Sequence, residues 1–434
     1  MPLLVVYNPA CGDGTAKAFF EHTVLPFLKM HGKTVDKLAV TEKVPNAGTA
    51  VLEFLESNEG ETTVVLGSGD GTLHEIINTI CSAELKGVRA SAPPSHLRFV
   101  LVPCGTANAM YSSLFPPPKI QLDSVSYKLK SLQAFIDDSK TIPLTLAISS
   151  LSPPPWFKSS RPQVAISAVV TSTGLHASIL HDSEALRAEM PGIERFKAAA
   201  QNNISKWYTS YVKLLPVPSV GVVQIYDPGK KEFVSHDESH LDDPIVDVDG
   251  PFAYFLSTVN VDRLEPAFRI TPLHSTIPPT AASVDIVMVR PSRDPSLDWD
   301  TPKERQDARK AFVQKATTVL QGAYKNGIHV SMRYGKDGEI ELDGVGPTIV
   351  EYIRCGGWEW TPVSYSHRAS HVDSSANCPN RMILTTQRTC FVLTGPFSTS
   401  KKAGGQHAQR PHQVLMQDSI CMFEDTGKEE NENN

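Results

Sequence analysis

Residues 64–78 read Val-Val-Leu-Gly-Ser-Gly-Asp-Gly-Thr-Leu-His-Glu-Ile-Ile-Asn, and few backbone arrangements accommodate them. The apolar run Val64–Leu66 has a strand's length and ends in glycines; beyond it Leu73, Ile76, Ile77 and Ile80 recur at helical spacing. A strand that turns through a Gly-rich corner into a helix is half of a βα unit, which commits this region to a parallel sheet covered by helices. The corner also carries chemistry. Glycines let backbone approach a bulky anion, and the start of a helix offers that anion its N–H groups. Asp70, fixed at that spot, can bind a metal or take a proton from a nucleophile. The segment as a whole reads as phosphate chemistry.

The same pattern repeats over the first 150 residues. Leu3–Tyr7 is a strand, followed by the loop Cys11-Gly12-Asp13-Gly14 and a helix with Ala16, Phe19, Phe20, Phe27 and Leu28 on one side. Lys37–Val40 is a second strand and Ala47–Leu55 a second helix; Phe99–Val102 is a further strand that runs into Pro103-Cys104-Gly105-Thr106-Ala107-Asn108. The expectation for residues 1–150 is a three-layer α/β nucleotide-binding domain, with ligands at the carboxyl ends of its strands. After Leu151 a Pro-rich stretch (152–162) leads into short β-rich runs, Gln163–Thr171, Val220–Tyr226, Ala253–Val261 and Ser283–Val289, which suit an antiparallel, sandwich-like second domain to about residue 365. Helices are expected over about 183–214, with Leu186, Ile193, Phe196, Trp207 and Tyr211, and over 302–324. Residues 366–434 read as a polar tail of low order with an acidic end, in which His407 and His412 are solvated and Arg388–Leu393 alone keeps some pattern.

Bulk properties exclude several classes. A net charge of −6 makes no basic field, so nucleic acid is not the expected partner. There is no apolar run long enough to span a membrane, and the start of the chain lacks the basic-then-apolar design of a signal peptide. The seven cysteines are scattered, without a Cys-x-x-Cys pair, which fits a reduced, cytoplasmic chain without structural zinc. Cys11 and Cys104, both in Gly-rich turns near the candidate phosphate sites, read as small residues that a tight turn tolerates, with a reactive thiol as the alternative. No Walker A sequence occurs, so a nucleotide would be held without the P-loop lysine.

Asn-Pro-x-x-Gly-x-Gly at 8–14, Gly-Asp-Gly-Thr-x-x-Glu at 69–75 and Pro-x-Gly-Thr-Ala-Asn at 103–108 form an ordered set that resembles the catalytic domain of the diacylglycerol kinase and sphingosine kinase superfamily. The likeness covers residues 3–150 well and continues loosely to about 362. Within it, Asp182-Ser183-Glu184-x-x-Arg187 and Gly192-Ile193-Glu194-Arg195-Phe196 resemble a segment of sphingosine and ceramide kinases. The resemblance implies an ATP-dependent lipid kinase acting on the primary hydroxyl of a sphingoid base or a ceramide-like lipid. Asn8, Pro9, Gly12, Gly14, Thr41 with Glu42, Ser68, Gly69, Gly71, Thr72, Gly105 and Thr106 would line the ATP site. Asp70 would be the general base, and Arg187 and Arg195 would reach toward the phosphates. Mg²⁺ would come with ATP rather than on a set of protein ligands. A lipid substrate without a membrane span implies reversible docking on a bilayer through apolar residues of the second domain.

Other readings of these residues stand beside that one. Asp70 can cap its helix, Glu75 can orient the site or be a solvated first-turn acid, Asp13 is a loop residue, and Asn78 and Asn108 support loops. Arg187 and Arg195 can be surface salt-bridge partners, and Trp156, Trp207, Trp358 and Trp360 can be core or line a lipid pocket. Two departures bear on substrate and activity. Leu180 stands where sphingosine kinases place the Asp that binds the sphingoid amine. The family's late Asp-Gly-Glu is missing after Trp358–Pro362; the one such triplet, Asp337-Gly338-Glu339, precedes that strand. Hence a diacylglycerol kinase, or a lipid- or nucleotide-binding pseudokinase, are the competing expectations, with an NAD kinase behind them. Neither the acceptor lipid nor the oligomeric state follows from sequence.

Overall fold

The structure, a computed structural model, describes residues 1–41, 46–90, 96–118, 124–152, 164–187, 189–190, 192, 194–297, 301–342, 344–363 and 381–394. It divides into two compact units: unit 1 comprises residues 1–104, 118–144 and the chain from 388, and unit 2 comprises 105–117 and 145–387. The division is therefore not the linear one expected. The change of texture near residue 150 lies close to the crossing at 144–145, but Gly105–Pro117 belongs with the second unit and the segment from Arg388 with the first.

In unit 1, β1 (Leu3–Tyr7), β2 (Lys37–Val40), β3 (Thr62–Ser68) and β4 (Leu97–Pro103) form a parallel sheet in the order β2-β1-β3-β4. Residues 391–393 add a parallel strand beside β4. These belong to the strand Arg381–Thr394, which lies inside the stretch read as tail. Its apolar run Cys390–Leu393 is short and set among polar residues, so composition concealed it.

β1 and β3 are buried along their whole length, as expected of strands covered on both faces. Val5, Val65 and Val100 share one core with Phe20, Val24, Leu28, Leu132 and Phe135, so the helical stretch after β1 and the helix Lys130–Ile136 cover one face. Strand alternation sends Leu4, Val6, Val64 and Leu66, also buried, to the other face. There the helices Asn46–Glu56 and Asp70–Ser82 pack together, so closely that a Cβ on Gly48 would lie 2.1 Å from the Thr79 hydroxyl. This is the expected three-layer α/β arrangement.

Unit 2 contains a six-stranded antiparallel sheet in the order 232–235, 224–227, 350–355, 284–289, 254–258, 170–173. A further antiparallel set pairs 246–249, 210–215, 357–362 and 382–385. Between them Val212, Leu214, Phe255, Met288, Ile353, Trp358, Trp360 and Leu384 make a sandwich core. Trp358 and Trp360 are thus packing residues, and so is Trp207, whose ring meets Phe312 edge-on; Trp156 lies outside the described residues. The expected helix at 302–324 is present as Pro302–Tyr324, started by a capping box of Thr301 and Glu304. It covers the outer face of the six-stranded sheet with Phe312, Ala316, Val319 and Ala323.

The expected single helix over 183–214 is instead a pair, Leu175–Ala185 and Glu194–Asn203, followed by the strand Ser210–Leu215. Gly192, at φ 84°, breaks the helical path, and Ser210–Leu215 alternates buried and exposed residues as a half-covered strand does. Residues 153–163, His407, His412 and the acidic end lie outside the described residues.

Candidate active site

The register of unit 1 brings four candidate segments to one sheet edge. Tyr7 lies opposite Val40 and Gly67, and Ser68 opposite Pro103, so Asn8, Thr41, Gly69 and Cys104 leave their strands at one level. At β1 and β3 the chain departs in opposite directions: the helical stretch after β1 covers one face, and the helix after β3 the other. Neighbouring parallel strands whose connections diverge in this way leave a crevice at their carboxyl ends, where open α/β sheets bind ligands.

The loop after β1 is built on backbone turns. The Asn8 amide donates to the Gly67 carbonyl at 3.1 Å, and the Asn8 side chain accepts from the Ala10 amide at 2.9 Å, which sets the turn through Pro9. Gly12 and Gly14 take φ of 57° and 78°, left-handed values that a residue with Cβ adopts at a cost. A Cβ on Gly14 would meet nothing within 4 Å, so Gly14 borders open space. Asp13 accepts from the Thr15 hydroxyl (2.6 Å) and amide (3.0 Å), and these bonds hold its carboxyl below the usual range. Asp13 is thus a turn residue.

The loop after β3 is tighter. A Cβ on Gly67 would lie 2.1 Å from the Phe20 ring, which stacks on Tyr7 with centroids 4.8 Å apart, so only glycine fits where β3 ends. Gly69 is the N-cap of the helix Asp70–Ser82 and has no side chain with which to cap it. Asp70 is the first helical residue and half-buried. Gly71 faces open space. Ser68 Oγ and Thr72 Oγ1 lie 2.6 Å apart, a hydrogen bond that ties the strand end to the helix start across the corner. Thr41 is buried, with its amide donating to the Tyr7 carbonyl at 3.0 Å; Glu42 lies outside the described residues. Uncapped amides of a 13-residue helix, glycine backbone open to solvent and hydroxyls without bulk are a donor set suited to phosphate oxygens.

Glu75 is not a solvated acid: its carboxylate accepts the Gly48 amide at 3.0 Å and so joins the helix Asp70–Ser82 to the start of its neighbour. In unit 2, Asn108 takes a left-handed conformation (φ 53°) and holds Gly105 at both ends, accepting its N–H at 2.9 Å and donating to its carbonyl at 2.7 Å. Thr106, carried between them, is exposed. Arg187 is exposed and pairs with Glu184 at 2.8 Å, while Arg195 lies over the Phe196 ring at 4.6 Å. Asp182 accepts from Asn203 at 2.7 Å, which ties the two helices of that hairpin together. Asp337-Gly338-Glu339 forms a tight turn in which Glu339 accepts the Asp337 amide at 3.0 Å, and Gly338, at φ 81°, abuts Asp294 and Ser296.

Residues 2–136 match the diacylglycerol kinase catalytic domain. That segment belongs to the diacylglycerol kinase and sphingosine kinase superfamily. All of the corner residues from Asn8 to Asn108 fall within the matched diacylglycerol kinase-type domain. Two solved structures of a candidate diacylglycerol kinase from Bacillus anthracis strain Sterne are also similar to the chain. Each is 14% identical; one covers 91% of this chain and 95% of its own at a TM-score of 0.46, the other 92% and 98% at 0.44. No curated protein matches the chain.

One feature of the kinase-type domain escaped sequence reading. Cys11 and Cys104, read as tolerated small residues, hydrogen-bond each other, and the Cys11 sulfur also lies 4.0 Å from the Gly67 carbonyl. No spacing rule joins them. They meet because the loop after β1 folds over the end of β3, which separates β1 from β4.

Proposed function

We propose that the protein is an ATP-dependent lipid kinase that phosphorylates the primary hydroxyl of a ceramide-like or related sphingoid lipid, with Asp70 as general base. The crevice between the ends of β1 and β3, with a carboxylate on the first turn of an uncapped helix, carries this reading. The Asp70 carboxylate takes the proton of the acceptor hydroxyl while its oxygen attacks the γ-phosphorus and ADP leaves. The first-turn amides and the glycine backbone of 12–14 and 69–71 stabilise the charge on the phosphate oxygens, as preorganised dipoles do. Mg²⁺ supplies further charge neutralisation when it is bound with ATP. Arg187 and Arg195 are proposed to reach the phosphates once ATP is bound, which requires Arg187 to leave Glu184.

Leu180, 45% exposed on its helix, has no charge to offer a sphingoid amine, and the nearby Asp182 is bonded to Asn203. An amide-linked acceptor therefore fits better than a free base. Diacylglycerol is the second reading, favoured by the family matched at residues 2–136. No described helix is long and apolar enough to cross a membrane; reversible docking is proposed through exposed apolar residues of unit 2 such as Leu180 and Met190. The deciding assay uses labelled ATP with ceramide, sphingosine and diacylglycerol in mixed micelles, resolved by thin-layer chromatography. Label is expected in ceramide phosphate first. ATP binding without transfer to any of the three would replace this reading with a pseudokinase. Flotation with liposomes tests docking, and a protein that stays at the bottom of the gradient speaks against it.

A further inference from the structure

The thiols of Cys11 and Cys104 stand at the mouth of the crevice, and nothing in phosphoryl transfer needs them. Both are partly exposed, so a small oxidant reaches them. Their side chains interact across the end of β3, where the Cys11 sulfur lies 4.0 Å from the Gly67 carbonyl. The loop that carries Cys11 is short and tied back by Asn8, so it presents its sulfur at one place instead of sweeping through solvent.

We propose that Cys11 and Cys104 form a modification site at which hydrogen peroxide drives formation of a disulfide, fastening the loop after β1 across the end of β3 and closing the phosphate crevice. The closing of a nucleotide site rests on the reading of that crevice given above; the linkage itself does not. The roles of the sulfurs differ. The bond from Cys104 holds the Cys11 thiol below its ordinary range against the opposing effect of burial, while the contact with Cys11 and burial push Cys104 up. Cys11, which lies on its loop between exposed Ala10 and Gly12, is the sulfur that peroxide reaches first and acts as the attacking thiolate, since thiolate and not thiol is the nucleophile. Its sulfur attacks the peroxide, an S–O bond forms as the O–O bond breaks, and the leaving hydroxide departs as water with a proton from solvent. The Cys104 sulfur then attacks the Cys11 sulfenic acid; the S–S bond forms, the S–O bond breaks, and a second water leaves with the Cys104 proton. Two thiols lose two electrons and one peroxide becomes two waters. A dithiol reverses the linkage by exchange.

The test uses the full chain, reduced, freed of reductant and treated with stoichiometric hydrogen peroxide. Remaining thiols are alkylated and the digest is read by mass spectrometry, with binding of a fluorescent ATP analogue measured in parallel. A peptide linking Cys11 to Cys104 is expected, together with at least ten-fold weaker binding that dithiothreitol restores. In Cys104→Ser the linked peptide disappears, and peroxide changes binding less than two-fold. If that variant does not fold, alkylation rates in the wild-type chain decide: Mg-ATP is expected to slow labelling of Cys11 and Cys104 at least five-fold and to leave Cys355 unaffected. Oxidation that converts other thiols while leaving Cys11 and Cys104 unlinked overturns the proposal, as does a linked protein that binds the analogue unchanged. A reduced protein that binds no analogue defeats the nucleotide reading and the closing of its site, while the linked peptide still decides the modification.

Discussion

The two units deploy charge in opposite ways. Unit 2 buries carboxylates and surrounds each with cations. Asp285 accepts from Arg354 at 2.7 and 3.0 Å and from the Tyr352 hydroxyl at 2.9 Å, and Glu351 accepts from Arg290 at 2.6 and 2.7 Å and from Arg293 at 3.1 Å. Asp262 is likewise bonded to Arg263 and Arg269. Burial alone would raise the Asp285 carboxyl, but the adjacent Arg354 outweighs it and holds Asp285 well below the usual range. The candidate edge of unit 1 is built differently: glycines, hydroxyls and helix amides line it beside Asp70. Strongly shifted protonation often marks a functional site. Among the described carboxylates of this molecule the strongest such shift is at Asp285 in unit 2, whereas at the candidate edge the marked shift belongs to the thiol of Cys104.

That contrast can be broken at its centre. Asp70→Asn is expected to lower lipid phosphorylation by about three orders of magnitude while ATP binding stays within a few-fold. Undiminished turnover in this variant would remove Asp70 from the mechanism whatever the lipid. In unit 2, Arg354→Met leaves a buried carboxylate without its main partner and is expected to cost about 3–5 kcal/mol in denaturant unfolding. A loss under 1 kcal/mol would mean that the network is replaceable.

A smaller effect is expected from acid. His329 is fully buried, its Nε2 lies 2.9 Å from the Ile270 carbonyl, and burial pushes its pKa down to about 4. The folded state keeps His329 neutral where the unfolded chain, titrating near 6.5, takes up a proton, so its contribution is full above that value and falls with pH down to about 4. Between pH 7 and 5 this amounts to roughly 2 kcal/mol for one group. His329→Gln should flatten that slope in urea titrations at several pH values, and an unchanged slope would assign it to other groups. The smallest change is expected from Glu75→Ala, which deprives the Gly48 amide of its acceptor and should cost unit 1 about 1 kcal/mol, read as a shift in thermal midpoint.

The parallel half of the fold was legible because its signals are local. Val64–Leu66, Lys37–Val40 and Leu3–Tyr7 each carry a strand's length of apolar residues before a turn, and the Gly-rich corners name the edge where they end. The long helix Pro302–Tyr324 announces itself through Thr301, Pro302 and Glu304. The hairpin at 175–203 was misread because Leu186, Trp207 and Tyr211 fall at helical intervals by chance, across Gly192. The role of Glu75 could not be read at all, since its partner Gly48 is close only after two helices have packed. The same holds for Cys11 and Cys104, which sheet order alone brings together.

The strand at 391–393 carries a consequence for how the protein is made. It lies beside β4, which leaves the ribosome roughly three hundred residues earlier, so through most of synthesis that flank of β4 waits with unpaired backbone groups. An open strand edge is a template for pairing with other chains. A nascent chain stalled before Arg388 would thus hold all of the corner residues and still expose an adhesive flank.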